Sequence, residues 1–307
     1  MTTIEGSTVT VVGEPVAGPD YLKGYNTFWD EEEASITAAT SGIVEVVERV
    51  ISVRGLSPKY YPEVGDIVVG RIAEVSGNRW KCSIGAQQDA IMLLANVTEP
   101  GGVLRRRGRE DELTMRNIFQ EGDVLVAEVQ RLLSDGTISL HTRSASKFGR
   151  MSQAGQLLAV NPSLVKRVKH HFYTFKSWGV FTVLGVNGRL WIAPATEEQL
   201  ALDDSEGDMS DDDQGEGEGG DEGRSASLTD PYTVRVYMAR LRNSASRMSA
   251  LKLPISPSTL AAAVKASIQS GISPIQILDE DFTDTLVSSV EAVKVSAQGR
   301  LRKRPRE

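Results

Sequence analysis

One phrase occurs twice in this chain, as VGDIVVGRIAEV from Val64 and as EGDVLVAEVQRLL from Glu121. Each copy sets a Gly-Asp pair, Gly65-Asp66 or Gly122-Asp123, ahead of a β-branched run, the way a strand leaves a tight corner. After the second run, Asp135-Gly136 supplies the positive-φ turn that leads into TISLHTR. Between the copies, NRWKCSI and AIMLLANV read as two further strands. Five short strands joined by turns, with one long crossing from Arg105 to Arg116, predict a small closed Greek-key barrel. Closure leaves no open sheet edge, so such a barrel can fold without a partner strand.

GDIVVGRI, EGDVLVAEV and the closing TISLHTR, in that order, resemble the S1 RNA-binding domain, a five-stranded barrel of the oligonucleotide-binding (OB) fold. The S1 pattern carries an aromatic pair around a Gly in its second hairpin, whereas this hairpin reads Gly77-Asn78-Arg79-Trp80-Lys81. With the pair reduced to Trp80, phosphate contact is expected to outweigh base stacking. The candidate RNA-binding residues of the barrel are therefore Trp80, Lys81, Arg105, Arg106, Arg107, Arg109, His141 and Arg143.

Residues 1–62 are expected to form an N-terminal β-sheet domain, 63–146 the S1 barrel, and 152–302 a second, α/β module. The whole is then a multidomain chain, mainly β plus α/β. In the N-terminal part VTVVGEPVAG and SGIVEVVERVISVRG read as strands. Between them Tyr25, Phe28 and Trp29 precede the acidic run Asp30 to Glu33. Two readings stand there, a buried aromatic anchor beside solvated charge or a docking surface for another subunit.

In the second module Leu157 to Val160 reads as a strand, and Pro162 opens an expected helix carrying Lys166, Arg167, Lys169, His170 and His171. GVFTVLGVNGRLWIAP then places apolar runs on both sides of Asn187-Gly188, a strong hairpin signal. This order resembles a KH domain, and Gly185-Val186-Asn187-Gly188 matches the GxNG motif of KH domains in exosome cap subunits. A KH loop that clamps nucleic-acid backbone lies between two helices. Here the four residues lie between two strands, so they are read mainly as a structural turn, and Lys166, Arg167 and Lys169 as the better candidates for phosphate contact. Three helices are expected to follow: from Asp230-Pro231, over Ser258–Ser270, and over Phe282–Ala297 with Asp281 as N-cap. On the first, Val234, Met238 and Leu241 share one face and are expected to pack on the core.

The net charge of −7 is unevenly distributed. Between Asp203 and Glu222 there are eleven acidic residues and no basic one, which leaves +4 for the remainder of the 307 residues. This Gly-rich stretch cannot bury enough apolar surface to offset the entropy of ordering, and 203–224 is read as a disordered insertion in the second module. The basic end, GRLRKRPRE, is compatible with plain solvation or with nuclear import.

Chemistry is sparse. Glu110-Asp111-Glu112 is the densest carboxylate group outside the insertion and the N-terminal run, but Arg105, Arg106, Arg107, Arg109 and Arg116 flank it, which favours a surface ion-pair network over a metal site. His141, His170 and His171 with the single Cys82 make no zinc set, and Cys82, set in a strand, is expected to be a buried, inert thiol. No P-loop or dinucleotide fingerprint occurs, so no catalytic residue, metal or cofactor is expected. No apolar run reaches the length of a membrane span, and neither a membrane nor secretion is expected.

Taken together, YYPEVGD, LRRRGREDELTMR, SLHTRS, SPSLVKR and the order of the three parts resemble the ribosomal RNA-processing protein 4 family of RNA exosome cap subunits. The resemblance implies a non-catalytic, RNA-binding subunit that stabilises a ring of RNase PH-like proteins. Its implied partners are RNA, those ring subunits, other cap subunits and associated 3'-5' exonucleases. The implied location is nucleus and nucleolus, also cytoplasm. An S1 barrel serves equally in a free RNA-binding factor of translation or ribosome assembly, and a nuclease would need the 110–112 carboxylates to hold metal.

Overall fold

The computed structural model describes residues 2–4, 7–55, 59–97, 109–133, 135–143, 147–168, 170–201 and 230–302. The insertion at 203–224 and the basic end beyond Arg302 lie outside them. The chain forms two compact units, Met1–Pro58 and Lys59–Glu307.

Among its described residues the first unit contains strands and turns but no helix. Strands β1 (Thr2–Ile4), β2 (Ser7–Thr10), β4 (Leu22–Lys23), β7 (Gly42–Val47) and β8 (Val50–Gly55) make a sheet of order β1-β2-β7-β8-β4. Strands β3 (Pro15–Ala17), β5 (Thr27–Asp30) and β6 (Ser35–Ala38) make a second sheet of order β3-β6-β5. Ile36, Ala38, Ile51 and Val53 are buried, whereas Tyr25, Phe28 and Trp29 are exposed. The anchor reading of those aromatics is corrected, because β5 lies at the edge of its small sheet and Phe28 and Trp29 point to opposite faces with little to cover them.

In the second unit β9 (Ile67–Ser76), β10 (Arg79–Ser83), β11 (Ala90–Leu93), β12 (Val124–Leu132) and β13 (Ile138–His141) close a barrel in the order β13-β11-β10-β9-β12, with β12 pairing back onto β13. The short β14 (Gly149–Arg150) extends β12. The two copies of the repeated phrase are the antiparallel pair β9 and β12, and their turns are built alike. Gly65 and Gly122 have φ of 91° and 92°. The Asp66 carboxylate accepts the Glu63 N–H at 3.0 Å and the Asp123 carboxylate accepts the Gln120 N–H at 2.8 Å. Each turn then locks onto the opposite strand: Gly65 donates to Val129 and Val129 to Asp66, while Gly122 donates to Ile72 and Ile72 to Asp123. A sequence repeat thus becomes a local two-fold relation that sets the register of the barrel's longest strands. From Arg109 onward the long crossing folds as two single-turn helices, α1 (Arg109–Leu113) and α2 (Met115–Ile118). From these Met115, and Phe119 just beyond, enter the barrel core beside Trp80, Met92 and Leu125.

The second module is a four-stranded sheet of order β15-β18-β17-β16, from β15 (Gln156–Ala159), β16 (Phe172–Phe175), β17 (Val180–Leu184) and β18 (Arg189–Pro194). The helix expected from Pro162 is corrected. Residues Pro162–Leu164 make one 3-10 turn, Val165 bridges to Ile255, and Lys166–Val168 are not helical. Tertiary pairing outweighs the basic run's helix propensity. After the short α3 (Glu197–Ala201) come α4 (Pro231–Ala250), α5 (Pro257–Gln269) and α6 (Thr283–Arg302). Asp230 caps α4 by accepting the Tyr232 N–H, and Ser256 with Thr259 forms a capping box on α5. Asp281 does not cap α6, since it lies inside a 3-10 turn, Glu280–Phe282, that feeds the helix.

Period-two alternation on β17 and β18 divides the sheet between two neighbours. Val180 and Ile192 face Val234, Met238 and Leu241 of α4, the helix face expected to pack on the core. Val183, Trp191 and Ala193 pack against Val69 and Val126 of the barrel. Each such buried aliphatic side chain contributes about 1.5–3 kcal/mol relative to exposure, so barrel and second module hold together as one body.

Candidate nucleic-acid interface

The Gly185–Gly188 turn is the joint of that body. Gly188, at φ 72°, closes the hairpin by donating to the Gly185 carbonyl at 3.1 Å, and its own carbonyl receives the Val160 N–H at 2.7 Å. A Cβ on Gly188 would lie 2.5 Å from the Val160 oxygen. At Gly185 a Cβ would lie 3.0 Å from the Val69 nitrogen, so its absence lets β9 approach. Val186 donates its N–H to Ile67 at 3.0 Å and inserts its side chain into the barrel core. Asn187 is 3% exposed. Its side-chain oxygen accepts the Val69 N–H at 3.2 Å, and its amide nitrogen donates to the Val69 and Ile84 carbonyls at 2.8 and 2.7 Å. Val186 and Asn187 are thereby spent on the barrel, while Gly188 closes the hairpin and bonds Val160 of the second module.

Two cationic side chains reinforce the joint. Arg189 donates to the Ser83 carbonyl and, at 3.2 Å, to its hydroxyl; burial pulls its pKa below the usual guanidinium value. Arg167 pairs with Glu63 at 2.6 Å and Asp66 at 3.6 Å, and the hydrogen bond to Glu63 raises its pKa. Asp66 also accepts the Tyr60 hydroxyl at 2.7 Å, and burial together with that bond pushes the Tyr60 pKa up. Arg167 thus takes part in a surface ion pair, with its side chain 58% exposed. Lys166 is exposed, and Lys169 lies outside the described residues.

On the barrel, Trp80 is also corrected. Its side chain is 0% exposed, its indole N–H donates to the Phe119 carbonyl at 3.1 Å, and its ring meets Phe119 edge-on with centroids 5.4 Å apart. It holds the long crossing to the barrel and presents no face to a base. The alternation of Arg79-Trp80-Lys81-Cys82 carried this signal, since Trp80 and Cys82 share the inner face. Cys82 is buried, with its thiol pKa pushed up to about 12 by burial. Lys81, on the outer face, stands across from Glu74 on β9 and Ile91 on β11 and lies 3.8 Å from Asp89. These residues with Arg79 and Gln88 line a groove of about 470 Å³, whose carboxylates no sequence motif marks.

His141 ends β13, and its Nδ1 accepts the Arg143 N–H at 3.3 Å; the Arg143 guanidinium donates to the Ala95 carbonyl. Arg105, Arg106 and Arg107, with the side chain of Arg109, lie outside the described residues. Among the described residues, no group of three His, Cys, Asp or Glu is placed to hold a metal, and no helix is long and apolar enough to cross a membrane.

Charge separates the two units. Met1–Pro58 has nine acidic and three basic residues, net −6. Setting aside 203–222 with its eleven acids, this leaves +10 for the second unit. Within that unit the excess is uneven: residues 59–150 carry thirteen basic and twelve acidic residues, 151–200 carry five and two, and the remaining +6 lies in 224–307.

A five-stranded barrel joined to a sheet-and-helix module defines the class, an S1–KH RNA-binding architecture. Family descriptions agree: "RRP4, S1 domain" matches residues 59–131 and "KH domain" residues 155–198. The Bos taurus protein named exosome complex component RRP4 is 38% identical over 268 residues, covering 86% of this chain and 84% of that one. Its Mus musculus counterpart is 48% identical over 179 residues, 58% of this chain and 59% of that one. The Schizosaccharomyces pombe relative, exosome complex component rrp4, is 46% identical over 181 residues, 59% of this chain and 54% of that one. The matched stretch thus spans little more than half of the mouse and fission yeast relatives. This chain belongs to the exosome complex component RRP4 family.

Proposed function

We propose that this chain is a non-catalytic RNA-binding cap subunit of an RNA exosome. In this reading it stabilises a ring of RNase PH-like subunits, neighbours other cap subunits and guides RNA to associated 3'-5' exonucleases, in nucleus and nucleolus and also in cytoplasm. The observation that carries it is the match to the bovine RRP4 over 86% of this chain, which reaches beyond the S1 and KH stretches alone. The charge division supports it. The acidic first unit, with Phe28 and Trp29 exposed beside Asp30 to Glu33, suits contact with protein, and the basic second unit suits contact with RNA.

The test is purification of the tagged full chain from its own cells, with identification of co-eluting proteins. RNase PH-like subunits in fixed ratio are expected. A chain that elutes alone on RNA, or with ribosomal particles, would instead be a free RNA-binding factor. The purified chain is also expected to leave 3'-labelled RNA intact in Mg²⁺ or Mn²⁺. Turnover that vanishes when Glu110, Asp111 and Glu112 become Ala would overturn the non-catalytic assignment.

A further inference from the structure

The groove on the outer face of β9, β10 and β11 has a composition that a plain phosphate site would not have. Arg79 and Lys81 supply positive charge, but Glu74 and Asp89 line the same space, Asp89 at 3.8 Å from the Lys81 ammonium. Strand register places Glu74, Lys81 and Ile91 in one row across three strands. Lys81 is 53% and Asp89 38% exposed, so solvent-screened pairing between them adds little stability. Each carboxylate weakens phosphate binding by like-charge repulsion, so a ligand that offers hydrogen-bond donors as well as negative charge matches this face better than phosphate alone.

We propose that this groove is a single-nucleotide subsite that distinguishes ribose from deoxyribose, with Arg79 and Lys81 on the phosphate and Asp89 accepting the 2'-hydroxyl. A volume of about 470 Å³ suits one nucleotide and excludes a duplex. In RNA the 2'-hydroxyl and the 3'-phosphate sit on adjacent carbons of one sugar, so a cation and a carboxylate side by side match both at once. Base amino groups are the other donors available, and they lie at the far end of the nucleotide from the phosphate. Ile91 supplies the apolar patch against which the sugar rests, a role that the buried Trp80 cannot fill. The 2'-hydroxyl is the group by which a protein separates RNA from DNA at a given position. The subsite rests on the RNA-binding reading and adds a sugar preference to it.

The experiment uses the full chain, with fluorescence anisotropy on RNA, DNA and 2'-O-methyl RNA oligonucleotides of one sequence. The wild-type chain is expected to prefer RNA to the other two. Asp89→Ala is expected to lower that preference by about tenfold, the worth of a hydrogen bond to a charged group, with DNA affinity unchanged or improved. Lys81→Ala is expected to weaken all three ligands together. Circular dichroism checks that both variants are folded. If Asp89→Ala tightens RNA and DNA alike, Asp89 only neutralises Lys81 and the subsite is overturned. An unchanged RNA preference overturns it too, as does a preference for RNA that survives 2'-O-methylation. A folded wild-type chain that binds none of the oligonucleotides removes the RNA-binding reading itself.

Discussion

The side chain of Asn187 hydrogen-bonds both the N–H and the carbonyl of Val69, 118 positions earlier in the chain, and so imitates the edge of a neighbouring strand. A third bond, to the Ile84 carbonyl, ties β10 into the same joint. Three backbone groups of the barrel depend on this one amide. The joint and the buried cluster beside it tie the two modules into one compact unit.

Replacing Asn187 by Ala should leave those groups buried and unpaired, and lower unfolding free energy by about 3 kcal/mol. Asp should be at least as damaging, because a carboxyl would meet two carbonyls that need donors. Urea unfolding of the three proteins checks the order, and a variant within about 0.5 kcal/mol of wild type would mean that water replaces the amide.

Gly188→Ala should cost about 2–3 kcal/mol. It combines a left-handed φ of 72° with a Cβ pressed 2.5 Å from the Val160 oxygen. Val186→Asp should also unfold the joint, since Val186 packs in the barrel core. Loss of RNA binding in a Val186→Asp protein of normal thermal stability would restore the phosphate-clamp reading.

Trp80→Phe should remove one buried hydrogen bond, cost about 1–2 kcal/mol and leave the RNA affinity of the folded protein unchanged. A fall in affinity with little change in melting would show the indole to be within reach of a base.

Arg167→Ala should cost only about 0.5–1 kcal/mol, because its guanidinium is more than half exposed where it meets Glu63 and Asp66. The slope of RNA affinity against salt should stay the same, since no phosphate contact is lost. A slope reduced by about one counterion would place a phosphate on Arg167 after all.

Cys82 should resist alkylation in the folded protein. Its thiol pKa is raised to about 12, so at pH 8 the reactive thiolate is scarce, and the sulfur is enclosed. Mass spectrometry after iodoacetamide treatment should find it unmodified without denaturant and modified in guanidinium. Rapid native labelling would mean that the barrel opens far more often than its packing implies.

What the sequence determined by itself is local and periodic. The repeated Gly-Asp phrase announced two matching turns, because only glycine takes φ near 90° at little cost and an aspartate can accept the N–H three residues back. The Asp135-Gly136 and Asn187-Gly188 hairpins, the Asp230-Pro231 helix start and the Val234-Met238-Leu241 face were readable for the same reason: short-range sterics or fixed period decide them. Tertiary structure alone decided which charges remain available. Arg167 pairs with Glu63, 104 positions away, and the segment that reads as a helix instead opens with one 3-10 turn followed by the bridge from Val165 to Ile255. Strand alternation turns Trp80 inward, but its partner there, the Phe119 carbonyl 39 positions on, and the groove that Lys81 shares with Glu74 and Asp89 come from tertiary pairing. Pairing across such distances depends on how strands stack after collapse, and the free energy that selects it belongs to burial of whole faces, which no local pattern encodes.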